Sequence, residues 1–190
     1  LGANAADRGV TYDYQPLERN DVVQVGDHDL KAVPTPGHTS EIVSYLLDDE
    51  AVLTGDTLFV DSVGRTELQF GDSDADTGAQ QLYDSLHRTL LAEPDSITVL
   101  PGHFAVEADG TTDVTPGEPV STTIGTVRTE LALLSVDRET FVRQLTDSLS
   151  GKPPNYEEII DVNAGRDEPA DQEAATELEL GPNNCAATGD

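Results

Sequence analysis

The sequence predicts an α/β fold, and three observations support that prediction. Short runs rich in β-branched residues alternate with turns of Gly, Pro and Asp through the first third of the chain. Apolar residues recur at helical spacing in three later stretches. The chain has 190 residues with a hydrophobic content of 36%, which is enough for one domain or a large part of one.

Four strands are predicted before the first helix, and one after it. The stretch "DVVQVGDHDLKAV" indicates two strands around the turn at Gly26, and "EIVSYLL" and "AVLTG" indicate two more, joined by the acidic turn 48–50. The apolar runs of this second pair predict burial on both faces of the sheet. Further along, "ITVLPGHF" is predicted to be a buried strand.

Three apolar stripes predict helices. Their members are Ala79, Leu82, Leu86 and Leu90, with Pro94 ending that helix; Ile124, Val127, Leu131 and Leu134; and Phe141, Val142, Leu145 and Leu149. Ser135 is predicted as the N-cap of the third helix. A short helix is expected within "NYEEIIDVNAG", with Asn155 and Glu158 as a capping box and Gly165 as its terminator.

The remaining stretches are predicted to lack regular structure. Val106 to Pro119 is acidic and rich in Gly, Thr and Pro, which is typical of a surface loop. We expect residues 1–165 to form the folded part, and residues 166–190 to be an acidic tail or linker.

The charge is strongly acidic. There are 37 Asp and Glu residues against 10 Lys and Arg, giving a formal net charge of -27. Such repulsion opposes compaction in dilute buffer, but at molar salt the Debye length shrinks to about 3 Å. We therefore interpret the composition as that of a halophilic protein. Nucleic acid is disfavoured as a partner because phosphate binding needs a basic surface.

Few features of the sequence indicate a membrane or a disulfide. No apolar run approaches membrane-spanning length, and no signal-peptide pattern opens the chain. We therefore expect a cytoplasmic protein without a membrane partner, and a homo-oligomer is left open. The single cysteine, Cys185, lies in an acidic stretch that does not favour a reactive thiolate, and it cannot form an internal disulfide.

Three motifs place a metal-binding type of side chain directly after a predicted strand. They are "TPGHT" with His38, "LTGDT" with Asp56 and "VLPGHF" with His103. Ligands bind at the carboxyl ends of strands in open sheets, and a neighbouring glycine permits the sharp turn. Singly, each would be a solvated loop residue, but the recurrence favours a shared site for Zn(II) or Fe(II).

The series "TPGHTSEIVSYLL", "VLTGDTLFVDSVGRTEL" and "VLPGHF" resembles the metallo-β-lactamase superfamily. Within it, "GDTLFVDSVGRTEL" is most similar to the branch of persulfide dioxygenases and glyoxalase II-type thioesterases. Two later stretches, "TTIGTVRTELALLSVDRETFVRQL" and "KPPNYEEIIDVNAG", resemble the C-terminal helices of that branch. The resemblance implies an αββα sandwich that is incomplete at the N-terminus, because the family's His-x-His-x-Asp-His motif does not precede His38.

The resemblance also implies roles for individual residues. His38 and Asp56 would be metal ligands, and His103 would bind a second metal in a hydrolase or neighbour a single iron in a dioxygenase. Arg65 would anchor a carboxylate of the thiol carrier, with a salt bridge to an acidic neighbour as its ordinary alternative. Two threonines would orient the ligand turns, namely Thr39 and Thr57.

Two other histidines are given ordinary roles. His28 lies in an Asp-rich turn and is expected to be solvated, while His87 lies on a predicted helix and is expected to be a structural or surface residue.

Three functions follow. The first is iron-dependent oxidation of a low-molecular-weight thiol persulfide. The second is zinc-dependent hydrolysis of a thioester, as in glyoxalase II. The third is a catalytically incomplete fragment that acts as an interaction module, which the missing motif favours.

Overall fold

The structure, a computed structural model, describes residues 1–104, 114–115, 117–147, 149, 152 and 155–180. Most of the predicted loop from Val106 to Pro119 therefore lies outside the described residues, as does Cys185. The described strands form one six-stranded sheet whose spatial order follows the chain. They are β1 (Val22–Val25), β2 (His28–Pro34), β3 (Val43–Leu47), β4 (Ala51–Gly55), β5 (Thr98–Pro101) and β6 (Thr122–Thr123).

Six α-helices accompany the sheet in the described part of the chain. They are α1 (Glu67–Phe70), α2 (Ala75–Arg88), α3 (Ile124–Glu130), α4 (Arg138–Thr146), α5 (Tyr156–Asn163) and α6 (Gln172–Leu180). Short 3-10 segments lie at Ala5–Arg8, Leu90–Ala92 and Ala132–Ser135. The mixed α/β class predicted from the sequence is confirmed. None of the helices in the described residues is long and apolar enough to cross a membrane.

The strand directions decide where the strand ends meet. Neighbouring strands are antiparallel except for β4 and β5, which pair in parallel. Because two antiparallel steps restore the direction, β2 runs the same way as β4 and β5. The parallel pair needs a long crossover, which α1 and α2 provide. The carboxyl ends of β2, β4 and β5 therefore lie at one edge of the sheet.

One face of the sheet carries the hydrophobic core. Helix α2 packs against α4, and its buried leucines meet inward-facing strand residues. Alternate residues of a strand point to opposite faces, so one set from each of β2, β3, β4 and β5 enters this core. The central members are Val33, Leu46, Val52, Leu82, Leu86, Val99 and Phe141.

The opposite face is apolar but only half-buried. Tyr45 pairs with Leu53, and Leu53 with Leu100, so the three share this face. Leu53 is 38% exposed, and Val25 farther along the face is 53% exposed. The expectation that β3 and β4 are buried on both faces was therefore wrong for the described residues, because an apolar run does not show how many of its faces are covered.

The helix ends differ in detail from the sequence prediction. Asp137, not Ser135, caps α4, and its side chain accepts a hydrogen bond from the Thr140 amide at 3.0 Å. Ser135 closes the preceding 3-10 segment. Asn155 makes no capping hydrogen bond, so the predicted capping box was wrong. Gly165 does terminate α5, with a φ of 73° that suits glycine.

The segment after residue 165 is partly ordered against the fold. Arg166 forms an ion pair with Asp161 and donates a hydrogen bond from Nη1 to the carbonyl oxygen of Arg8 at 2.6 Å. The predicted tail also contains α6, which the composition did not indicate. The boundary at 165/166 stays a prediction.

Candidate metal centre

The three predicted ligand side chains meet at the common strand edge. His38, Asp56 and His103 follow β2, β4 and β5 respectively. Nε2 of His38 lies 3.5 Å from Oδ2 of Asp56, and Nδ1 of His103 lies 2.5 Å from Oδ1. The carboxylate of Asp56 therefore sits between two imidazoles. This juxtaposition is the one that the strand–turn–ligand pattern required.

The ring of His38 is held in one orientation. Its Nδ1 donates a hydrogen bond to the carbonyl oxygen of Arg65 at 2.7 Å, and the residue is 9% exposed. Because a carbonyl can only accept, the neutral ring carries its proton on Nδ1 and leaves a lone pair on Nε2. That lone pair faces the carboxylate of Asp56. Histidines that bind metals in proteins are commonly oriented in this way.

Two glycines allow the turns to approach each other. A Cβ on Gly64 would lie 1.9 Å from the carbonyl oxygen of Asp56 and 3.1 Å from Cβ of His38. A Cβ on Gly102 would lie 3.0 Å from Oδ1 of Asp56. These three distances are too short for a Cβ atom at either position, so a larger residue in place of either glycine would push the turns apart. The sequence signalled Gly102 within "PGHF", but the role of Gly64 in "VGRTEL" was missed.

Buried hydroxyl groups join the first two turns beneath the site. Oγ1 of Thr35 lies 2.8 Å from Oγ of Ser44 and 3.0 Å from Oγ1 of Thr57. Thr57 directly follows Asp56, so this network links the His38 turn to the Asp56 turn. These contacts are consistent with the prediction that Thr57 orients the turn that carries Asp56. Thr39 lines the adjoining cavity instead.

Arg65 lies in the interior and not on the wall of the cavity. Its side chain and that of Glu67 are each 3% exposed, and its Nε donates to Oε1 of Glu67 at 2.6 Å. Arg65 does not line the cavity at the site. The contacts therefore match the alternative of a salt bridge, and the anchor role stays a prediction. Its backbone carbonyl, which orients His38, is the contribution that sequence reasoning missed.

A cavity of about 330 Å³ opens over the three side chains. One wall comes from the N-terminal segment and another from α5. Residues that sequence reasoning had not connected with the site line the cavity: Arg8, Val10, Tyr12, Glu41, Gln69, Tyr156, Ile159, Ile160 and Asn163. The resemblance of "KPPNYEEIIDVNAG" to family helices was the one signal that pointed to α5.

Hydrogen bonds to the end of α5 hold these two walls together. The amide of Thr11 donates to the carbonyl oxygen of Ala164 at 2.9 Å, and the hydroxyl of Tyr12 donates to the carbonyl oxygen of Asn163 at 3.1 Å. The C-terminal end of α5 is therefore docked on the N-terminal segment. The cavity has defined walls on both sides.

The donor types at the floor of the cavity fit Zn(II) or Fe(II). Two imidazoles and a carboxylate are ligands that both ions accept. The arrangement itself is that of a hydrogen-bonded cluster: among the described residues, no group of three or more His, Cys, Asp or Glu side chains is spaced to hold an ion. His103 and Asp56 are at hydrogen-bonding distance, which leaves no room for an ion between them.

The other histidines lie in ordinary environments. His28 is on the surface with its side chain 64% exposed, and it pairs with Asp48. His87 is half-buried and lies against Tyr83, with ring centroids 4.0 Å apart. Neither lines the cavity over Asp56.

A family model described as "Metallo-beta-lactamase superfamily" matches residues 8–103, about half of the chain. The match spans all three predicted ligands. The chain belongs to the metallo-beta-lactamase superfamily.

Proteins with two different named activities are similar to this superfamily member. A hydroxyacylglutathione hydrolase from Dictyostelium discoideum is 33% identical over 94 residues, which is 46% of this chain and 32% of that protein. The mitochondrial persulfide dioxygenase ETHE1 from Bos taurus is 33% identical over 88 residues, with the same two shares. The chain therefore spans about a third of the length of these relatives.

A solved structure extends the likeness beyond the ligand turns. The crystal structure of ETHE1 from Myxococcus xanthus aligns with a TM-score of 0.64 and 32% identity, covering 78% of this chain and 59% of that one. The metallo-β-lactamase type of fold is thereby confirmed. The comparisons include both hydrolases and dioxygenases, so they support the superfamily and not one reaction.

Proposed function

We propose that this chain takes part in metal-dependent oxidation of a low-molecular-weight thiol persulfide, as persulfide dioxygenases do. The observation that supports it most is the oriented pair of His38 and Asp56 at the floor of the cavity. His38 is buried and fixed by the Arg65 carbonyl, and its Nε2 faces the carboxylate. The share of the chain aligned with ETHE1 from Myxococcus xanthus supports the same reading.

The two histidines are held differently, which favours a single-ion site. The His38 side chain is 11% exposed, whereas that of His103 is 40% exposed. His38 and Asp56 would hold the ion, and His103 would accept or donate a hydrogen bond beside it. When bound, Fe(II) supplies open positions for oxygen and a thiolate. The chain's own residues contribute a fixed ring, a carboxylate and a cavity that confines the substrate.

A second candidate is zinc-dependent thioester hydrolysis. The specific observation in its favour is that an imidazole lies on each side of the Asp56 carboxylate, so this residue would supply donors to zinc together with either histidine once the hydrogen bond between His103 and Asp56 opens. The similarity to hydroxyacylglutathione hydrolases supports it as well. A third candidate is a catalytically incomplete interaction module, which is supported by the lack, among the described residues, of a group of three or more potential ligands spaced to hold an ion.

The proposal also covers the partners and the location of the protein. We propose a small thiol compound as partner, a cytoplasmic location, and no nucleic acid or membrane partner. The net charge of -27 supports the exclusion of nucleic acid. Assembly into a homo-oligomer is compatible with the half-exposed apolar face of the sheet.

Metal analysis with two assays tests the three candidates. The chain is purified in molar KCl, its metal content is measured, and oxygen uptake with cysteine persulfide is compared with cleavage of S-lactoylglutathione. Iron with persulfide-dependent oxygen uptake is expected, and His38→Ala and Asp56→Ala should each abolish it, while His28→Ala should not. Zinc with thioester cleavage and no oxygen uptake would favour the hydrolase. Absence of stoichiometric metal and of both activities would favour the interaction module.

A further inference from the structure

A pair of opposite charges lies on the wall of the cavity. Nε of Arg8 is 3.4 Å from Oε1 of Glu41, and their side chains are 20% and 17% exposed. Both residues line the cavity whose floor carries His38 and Asp56. Among the described residues that line it, Arg8 is the one with a permanently cationic side chain.

The contact between Arg8 and Glu41 does not use all the donors of the guanidinium. At 3.4 Å the contact is longer than a strong charge-assisted hydrogen bond, which spans about 2.7–2.9 Å. Within the described residues, the guanidinium of Arg8 donates no hydrogen bond, and Oε2 of Glu41 accepts one from the hydroxyl of Ser40 at 2.9 Å. The planar donors of Arg8 therefore have capacity for a ligand carboxylate.

The rest of the wall is mainly apolar. Its members include Ala5, Val10, Leu68, Ile159 and Ile160. A low-dielectric wall strengthens contacts between charges and penalises a charge that lacks a partner. A ligand that brings one negative and one positive group would satisfy Arg8 and Glu41 together, whereas a ligand with one charge would leave one of them unmatched.

Two further properties restrict the ligand. The cavity volume of about 330 Å³ is at the lower end of the range of about 300–1,000 Å³ for small-molecule sites. The net charge of -27 repels anions, but a zwitterion has no net charge and enters without that penalty. Size and charge both favour a small zwitterion.

We propose that this cavity binds a sulfur compound with an α-amino carboxylate head group. The carboxylate would contact Arg8, the ammonium would contact Glu41, and the sulfur would point to the floor at His38 and Asp56. The placement of the sulfur rests on the proposed function. The recognition of the head group rests on the wall alone.

Three thioether probes that cannot react test this recognition. S-methylcysteine has both charges, 3-(methylthio)propanoate has the carboxylate alone, and 2-(methylthio)ethylamine has the ammonium alone. Binding to the full chain is measured by calorimetry and by NMR at a KCl concentration at which it is folded. S-methylcysteine should bind about tenfold more tightly than either other probe, because each lost charge-assisted contact weakens binding by at least that factor. Equal binding of the three probes, or none, would overturn the proposal.

Variants locate the contacts. Arg8→Gln should weaken S-methylcysteine to the level of the amine probe, and Glu41→Gln should weaken it to the level of the carboxylate probe. Arg8→Lys should retain part of the affinity, and Arg128→Gln, a change of an exposed arginine that does not line the cavity, should leave it unchanged. Unchanged affinity in Arg8→Gln would contradict the assignment. If that variant does not fold, the probe comparison and Arg8→Lys still decide.

The outcome is separable from that of the proposed function. The probes need neither a metal nor a reactive sulfur, so an inactive or metal-free chain can still discriminate among them. Conversely, a chain with persulfide-dependent oxygen uptake but no discrimination among the probes would retain its function and lose this assignment.

Discussion

The carbonyl oxygen of Arg65 accepts the Nδ1 hydrogen of His38 at 2.7 Å, while the side chain of the same arginine is buried against Glu67. One residue thus serves the site through its backbone and the interior through its side chain. The ion pair fixes the loop whose carbonyl fixes the histidine.

Glu67→Gln should therefore affect both stability and the site. Removal of one partner of a buried ion pair costs about 3 kcal/mol, because the remaining charge loses the counter-ion that Glu67 supplies. Displacement of the carbonyl that orients a metal-binding histidine lowers metal affinity about 10–100-fold. Urea unfolding at fixed KCl and metal titration measure the two effects. Asp95→Asn, which removes an exposed partner of Arg128, should cost less than about 1 kcal/mol; an equal loss in both variants would contradict the prediction.

Gly64→Ala should separate His38 from Asp56. The added methyl group would lie 1.9 Å from the Asp56 carbonyl oxygen, so the backbone of one turn must move. We expect metal affinity to fall at least tenfold, as measured by competition with a chelator. Gly26→Asn is the matched control, since no atom lies within 4 Å of a Cβ there and asparagine tolerates its φ of 62°. Wild-type affinity in Gly64→Ala would show that the close approach is not needed.

His87 should make stability depend on pH below neutrality. Burial lowers the pKa of His87 below its ordinary 6.5, although Asp84 opposes the shift. The unfolded chain then takes up a proton near pH 6.5 that the folded chain resists, so the free energy of unfolding falls as pH drops through 6.5. His87→Phe, which preserves the stacking on Tyr83, should flatten that slope between pH 7 and about 5. An unchanged slope in His87→Phe would assign the dependence to other groups.

Salt should stabilise the fold strongly. The net charge of -27 is spread over 190 residues, and raising KCl to molar levels shortens the Debye length to about 3 Å. The melting temperature should rise continuously with KCl, by calorimetry at constant pH. A melting temperature that does not change between low and molar KCl would count against a halophilic protein.

The features that were predictable from the sequence are those set by local pattern. The strand pairs were predicted from the turn residues between them, and the leucines of α2 from the helical spacing of apolar residues. Both are present in the structure. The meeting of His38, Asp56 and His103 followed from three strand ends at one edge of a sheet. Each of these inferences needed only local sequence patterns and the general rule that ligands bind at the carboxyl ends of strands.

The remaining features depend on contacts between distant segments. The burial of Arg65 could not be predicted from the sequence, because an arginine in a loop is usually exposed. Its partner Glu67 is also of a residue type that is seldom buried. The cavity forms where the N-terminal segment docks on the end of α5, across most of the chain, and no local pattern encodes that docking. Asp137 displaced Ser135 as a cap because two capping residues lay within one turn of each other.

The half-exposed apolar face of the sheet, with Leu53 and Val25, gives salt a second effect on this acidic chain. In dilute solution like-charged molecules repel one another, and this repulsion keeps such faces from touching. Screening that lets one molecule stay compact also lets two approach, and apolar contact then becomes favourable. The ionic strength that stabilises the fold is thus also the one at which molecules are expected to associate through this apolar face.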